Sequence, residues 1–339
     1  MATTAAKKYD YEPDGGDLKA QLKWRKKCLD ALTKEEYKFV STKNAWLHYY
    51  LGARTTVAYM MTAYMLVKFQ HNWLVWLPLT CLQGAWLMNF VFLMHETVHQ
   101  LVWDKRDSDT KIWLEDMTGR FYGCFCGVSS RFFREYHGQH HHRFFRGTDD
   151  PKATYFVPHD NSWWTKIRYF GPGLIGIFNN LTQSVHTVSE KTKSMQQSDK
   201  KFNRTVHAAF MAYTMYTGGF MFWVKMHFLP HMVFFPIWFM SNRCGQHYCC
   251  DPKHAPLQST PHAGGIWGEL PNLYSNFHVE HHTFAEVPAY NLKYLNSLLT
   301  PRVYKPMNLP MFKLRHLVYG WLVKDHPHYT IWWDLAHDY

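Results

Sequence analysis

Charge is what this sequence has least of. Asp, Glu, Lys and Arg make up 19% of its 339 residues, against roughly a quarter in an ordinary soluble domain. The deficit is concentrated. Residues 72–94, 205–224 and 226–242 carry no charged side chain, and residues 46–67 carry one, Arg54. Segments of that kind are not solvent-exposed loops or surface helices. The seven cysteines show no regular spacing, which excludes a disulfide-stapled secreted scaffold and leaves reduced thiols as the expectation. Cys244, Cys249 and Cys250 lie near His247, but their spacing matches no standard zinc knuckle. No apolar run precedes residue 45, so no cleavable signal peptide is expected. Internal repeats and low-complexity tracts are absent as well, which excludes a solenoid.

What is present is apolar and aromatic. Hydrophobic residues reach 47% and aromatics 18%. The mean hydropathy of −0.37 alone would suggest a soluble protein, but that average ranks Trp and Tyr low and hides charges clumped between long uncharged runs. A helix needs about 20 residues to cross a bilayer. The runs therefore predict four spans, at about 46–67, 72–94, 205–224 and 226–242, paired into two hairpins by short links at Lys68–His71 and Lys225. Arg54 is expected to snorkel from one end of its span. A further uncharged run, Tyr169–Ser189, contains Gly171-Pro172-Gly173 and Asn179-Asn180 and is expected to be interfacial or re-entrant.

The fold expected is thus an all-α integral membrane protein with four transmembrane helices and a cytosolic helical cap. Residues 1–44 form an N-terminal segment, 45–300 the membrane domain and 301–339 a C-terminal tail. Leu18–Lys38 reads as a basic amphipathic helix, lying on the membrane surface or solvated. The two links carry one lysine each and nearly all other Lys and Arg lie elsewhere, so both termini are expected in the cytosol. The net charge of +11, so placed, favours an anionic membrane surface over nucleic acid.

Histidine is the abundant exception, with 23 residues. His278, His281 and His282 follow an H-x-x-H-H spacing, as do His137, His140 and His141, and His95 and His99 stand i, i+4. On a helix these spacings put the imidazoles on one face. Each neutral imidazole offers one lone pair, so such a face can grip a transition metal. Eight ligands exceed one tetrahedral zinc site and suit two metals with open positions. A histidine-rich divalent-metal transporter is the rival from another class. It requires ionisable groups in the middle of several spans, and the runs 72–94 and 205–224 read as having none.

The three boxes, their order, and the stretch from Phe277 through His282 to Glu286-Val287-Pro288-Ala289-Tyr290-Asn291-Leu292 resemble the membrane fatty-acid desaturase and hydroxylase superfamily over roughly residues 45–300. The resemblance implies a non-haem di-iron centre on a cytosolic cap above a four-helix stem. The ligands it implies are His95, His99, His137, His140, His141, His278, His281 and His282, with His247 as a ninth just beyond the fourth span. Two iron ions and O2 as co-substrate follow from it. So does attack on an unactivated C–H bond of a long-chain lipid, most commonly fatty acyl desaturation. Hydroxylation, ketolation and fatty-acid decarboxylation to a terminal alkene use the same kind of site, with substrate position selecting among them. No His-Pro-Gly-Gly haem motif occurs, so electrons are expected from a separate ferredoxin, or from cytochrome b5 with its reductase.

Two features depart from the family pattern. Three residues separate the first-box histidines, and Thr-Phe-Ala-Glu-Val-Pro follows the third box. His142 reads as basic surface or as support for the ligands. Glu96, Asp149, Asp150, Asn276 and Glu280 are candidates to accept the outer N–H of a ligand histidine, with an ordinary solvated or capping role as the alternative for each. Arg131, Arg134, Arg143 and Arg146 are candidates to hold an anionic head group, an acidic partner or lipid.

Overall fold

The computed structural model describes residues 18–134, 137, 190–239, 246, 259 and 273–309. Among these the chain is helical throughout, with no strand. His140, His141, His142, His247, Asp149, Asp150, Arg143, Arg146, the three cysteines from Cys244 to Cys250 and the run Tyr169–Ser189 lie outside the described residues.

Helices α3 (Ala45–Lys68) and α4 (Trp73–Val98) form the first hairpin. Asn44 and Asn72 cap them, their side chains accepting from the N–H groups of Leu47 and Leu74. On α3 a stripe of His48, Gly52, Thr55, Tyr59, Thr62 and Leu66 is buried, while Trp46, Tyr50, Val57, Met61 and Tyr64 are exposed. That apolar outer face suits lipid better than water. Helix α4 is the centre of the bundle, buried almost continuously from Gln83 to Val98.

After α4 the chain reverses, with Gln100 at φ 60, and α5 (Asp109–Cys126) runs back along it. Glu115 accepts from Val102 N, and at the far end Cys126 Sγ donates to Leu87 O at 3.3 Å. Gly127 at φ 69 ends α5 in a left-handed turn. The short α6 (Ser130–Phe133) then leads back toward His137.

Among the described residues, two helical stretches are long and apolar enough to cross a membrane, Trp73–Val98 and Ser194–Phe239. The second folds on itself. Helix α7 (Glu190–Trp223) breaks at Gly219 (φ 77, ψ −178) and continues through two π-helical turns, Val224–Phe228 and Pro230–Phe234. The His207 and His231 rings lie 5.3 Å apart, whereas 24 residues of straight helix would separate them by roughly 36 Å. The run pattern put the break at Lys225; the chain turns earlier, at Gly219, because that φ/ψ combination is essentially glycine-only. Lys225 instead donates to Gln70 O at 2.7 Å and lies 5.0 Å over the Trp76 ring. The two hairpin ends therefore stand side by side.

A second core forms around α8 (His278–Thr283) and α9 (Ala289–Leu299), from Phe277, Phe284, Leu292, Leu299 and Tyr304. Leu18–Lys38 is not one surface helix. It divides into α1 (Leu18–Asp30) and α2 (Lys34–Ser41), because Thr33 and Glu36 make a capping box. Trp24 and Cys28 of α1 are buried in this second core, so the face expected on the membrane packs on protein. Arg25 pairs with Glu286 at 2.7 Å. Residues past 300 join the same core through Val303 and Tyr304.

Candidate metal centre

Helix ends deliver the first box and His137 of the second. His95 lies in the last turn of α4 and His99 is its C-cap. His137 follows α6, its ring stacked on Phe133 at 4.9 Å. The third box is α8 itself, with His278 and His281 buried. Glu96 binds the two regions together, accepting from Ala289 N at 3.0 Å and so tying the end of α4 to the start of α9.

This arrangement brings four predicted ligands into one cluster. One ring nitrogen from each of His95, His99, His137 and His281 lies within 4.8 Å of one from each of the others. His95 Nε2 and His137 Nε2 are 2.7 Å apart, and the His281 ring centre is 4.7 Å from His95 and 4.9 Å from His99. His278 and His282 face each other at 3.1 Å between their Nε2 atoms. Imidazole nitrogens converging in this way are a donor set that transition metals seek. The neighbouring carboxylate of Glu96 stays 3.9 Å from His95 Nδ1 and is committed to Ala289, so imidazoles dominate the cluster. The donor set fits iron.

The expected supporting residues behave differently. Glu280 accepts from Tyr304 Oη and Asn296 Nδ2, both at 2.7 Å, and so anchors α8 to α9 and the turn that follows it. Burial pushes its carboxyl above the ordinary value, against those two hydrogen bonds. Neither carboxamide atom of buried Asn276 finds a hydrogen-bond partner among the described residues. Arg131 pairs with Asp199, and Arg134 with Asp116 at 2.7 Å. These two arginines are thus paired with carboxylates of the chain itself. Gln246 Nε2 donates to Ser275 O at 3.3 Å, which brings the residue before His247 to the edge of the third box.

One cluster escaped the sequence reading. His207, His227 and His231 also bring one ring nitrogen each to within 4.8 Å of one another. His207 belongs to the run 205–224 that read as free of ionisable groups. The i, i+4 pair His227 and His231 was the available signal, but its partner comes from across the Gly219 turn.

Comparison with known proteins agrees with the geometry. A family model described as fatty acid desaturase matches residues 71–315, a stretch that includes every predicted ligand. No individual curated protein matches the chain.

Proposed function

The chain belongs to the fatty acid desaturase family, and from that membership we propose that it is an O2-dependent, non-haem di-iron membrane enzyme that desaturates a fatty acyl chain. The family makes it a lipid oxidoreductase. The convergence of four histidines carries the finer reading. In it, His95, His99, His137 and His281 hold one iron. The His278–His282 pair begins a second position, which His140, His141 and His247 complete. When bound, the irons would reduce O2 and supply the oxidant that takes hydrogen from an unactivated C–H bond. The chain's own contribution is to fix the imidazoles. Glu96 holds the α4 end against α9, Glu280 clamps α8 in the cap, and burial of His95, His137, His278 and His281 keeps bulk water away.

The topology that fits this chemistry has four spans, with both termini and the boxes on the cytosolic side. The adjacent hairpin ends at Gln70 and Lys225 support it, as does the scarcity of Lys and Arg at those ends. Residues 45–300 would then be the membrane domain, flanked by cytosolic segments, with a separate ferredoxin or cytochrome b5 as donor. The deciding experiment is metal analysis of detergent-purified protein with acyl product analysis. About two irons per chain, falling sharply in His281→Ala, together with a new double bond in the product, is expected. Zinc at one equivalent or less with no iron would overturn the proposal, and an alcohol or terminal alkene product would overturn desaturation alone.

A further inference from the structure

Three histidines lie together in the apolar hairpin of α7, away from the boxes. His207 is on the first arm and His227 and His231 are on the second. They meet at the C-terminal end of α5. His207 Nε2 is 2.8 Å from Cys124 O, and its Nδ1 is 2.9 Å from His227 Nε2. His231 places Nδ1 2.9 Å from His227 O and Nε2 3.2 Å from Phe125 O.

Hydrogen bonding alone can complete the His207–His227 contact, with His227 Nε2–H as donor, but leaves His231 unfinished. The His207–Cys124 contact needs the proton on Nε2 of His207, so Nδ1 presents a lone pair toward His227, as a metal ligand with a carbonyl behind it would. His231 in its neutral form has one N–H for two carbonyl oxygens. If Nδ1 donates across the shorter contact, the Nε2 lone pair faces the lone pairs of Phe125 O. A cation between the rings removes that conflict and gives the lone pairs of His207, His227 and His231 a common partner.

The spacing suits such an ion. Ligand atoms about 2.0–2.1 Å from a tetrahedral zinc stand about 3.3–3.4 Å apart, close to the 2.9 and 3.2 Å contacts seen here. The carbonyl of Phe125 is placed to serve as a fourth, oxygen ligand. The location also favours positive charge, because the C-terminal end of an 18-residue helix presents its negative pole there. We infer that His207, His227 and His231 form a second, separate metal site that binds one imidazole-seeking transition ion, of the zinc or copper class, at the buried end of α5. It would pin that returning helix to the hairpin of α7.

The inference is independent of the box chemistry and is tested on the full-length chain in detergent. Iron, zinc and copper are counted per chain for wild type, His281→Ala and His227→Gln. One equivalent of metal that survives in His281→Ala and disappears in His227→Gln, with iron retained in the latter, is the expected result. The copper and zinc counts identify the ion. X-ray absorption at the edge of that metal in the wild-type chain should show a nitrogen-rich first shell, a readout that does not depend on the variant folding. Wild-type protein in which all bound metal is iron, or His227→Gln with the full wild-type complement, overturns the site. The three histidines would then be a hydrogen-bonded brace.

Discussion

At the scale of single residues, the third box depends on a side chain that no metal would touch. Tyr304 is fully buried and donates to Glu280, the residue immediately before His281 on α8. Removing the phenol oxygen leaves the buried carboxylate with Asn296 as its remaining donor. Leaving a buried polar group short of a partner costs about 1–3 kcal/mol. Tyr304→Phe should therefore lower thermal stability by that amount. If the proposed ligand set holds, it should also reduce iron retention, because the helix that carries three of the proposed ligands loses half its anchor. Thermal denaturation followed by iron analysis checks both, and unchanged iron at reduced stability would separate anchoring from ligand positioning. The histidine boxes were legible because their spacing repeats along one helix face, a property of the local chain. For Glu280 the spacing left both a ligand-supporting and an ordinary structural role open, because its partners, Asn296 and Tyr304, are known only once α8 and α9 have packed.

At the scale of elements, backbone conformation and charge pairing decide where helices stop and what they lie on. Gly219 adopts φ 77, ψ −178 with open space around the position of a Cβ, so the obstacle to substitution is conformation and not crowding. Such a conformation costs of order 1–3 kcal/mol for other residues. Gly219→Val should destabilise the hairpin by about that much and lower its melting temperature. Gly84→Val acts by a different cause, since a Cβ at Gly84 would stand 2.7 Å from the backbone of Phe234 and Phe235. The uncharged runs made the hairpins legible, but a run ends where composition changes and a helix ends where the backbone turns.

The docking of α1 and α2 on α8 and α9 is electrostatic in part, and it was invisible from sequence because its partners lie some 260 residues away. Burial raises the Glu286 carboxyl, but hydrogen bonds from Arg25 and Tyr37 outweigh that and leave it below the ordinary value. Glu36, paired with Arg302, is lowered to about 2. For carboxyls depressed in the folded state, the stabilisation is complete above the unfolded value, 4.5, and is lost as pH falls below it toward about 2. Cleavage between α1 and α2 by an acid-active protease should rise as pH falls from 5 to about 3, and Arg25→Ala should move that rise to higher pH.

For the whole molecule, the two hairpins, the two cores and the histidine clusters fit one orientation. The described box histidines sit where α4 ends and α8 packs, while the Gln70 and Lys225 contact marks the opposite end of the two hairpins. If the stem crosses the bilayer, residues near the α3–α4 link must face the side away from α1. Under the proposed topology, positive-inside placement would make α1 cytosolic, since its region carries Lys19, Lys23, Arg25, Lys26 and Lys27. In a chain otherwise stripped of cysteine, His71→Cys should react with a membrane-impermeant maleimide on intact cells. Lys19→Cys should react only after the membrane is opened. Labelling of both from outside would place α1 and the hairpin link on one face and remove the four-span topology. Labelling of Lys19→Cys alone from outside would keep the spans and invert them, which would put the metal centre out of reach of cytosolic electron donors and leave the proposed chemistry without its reductant.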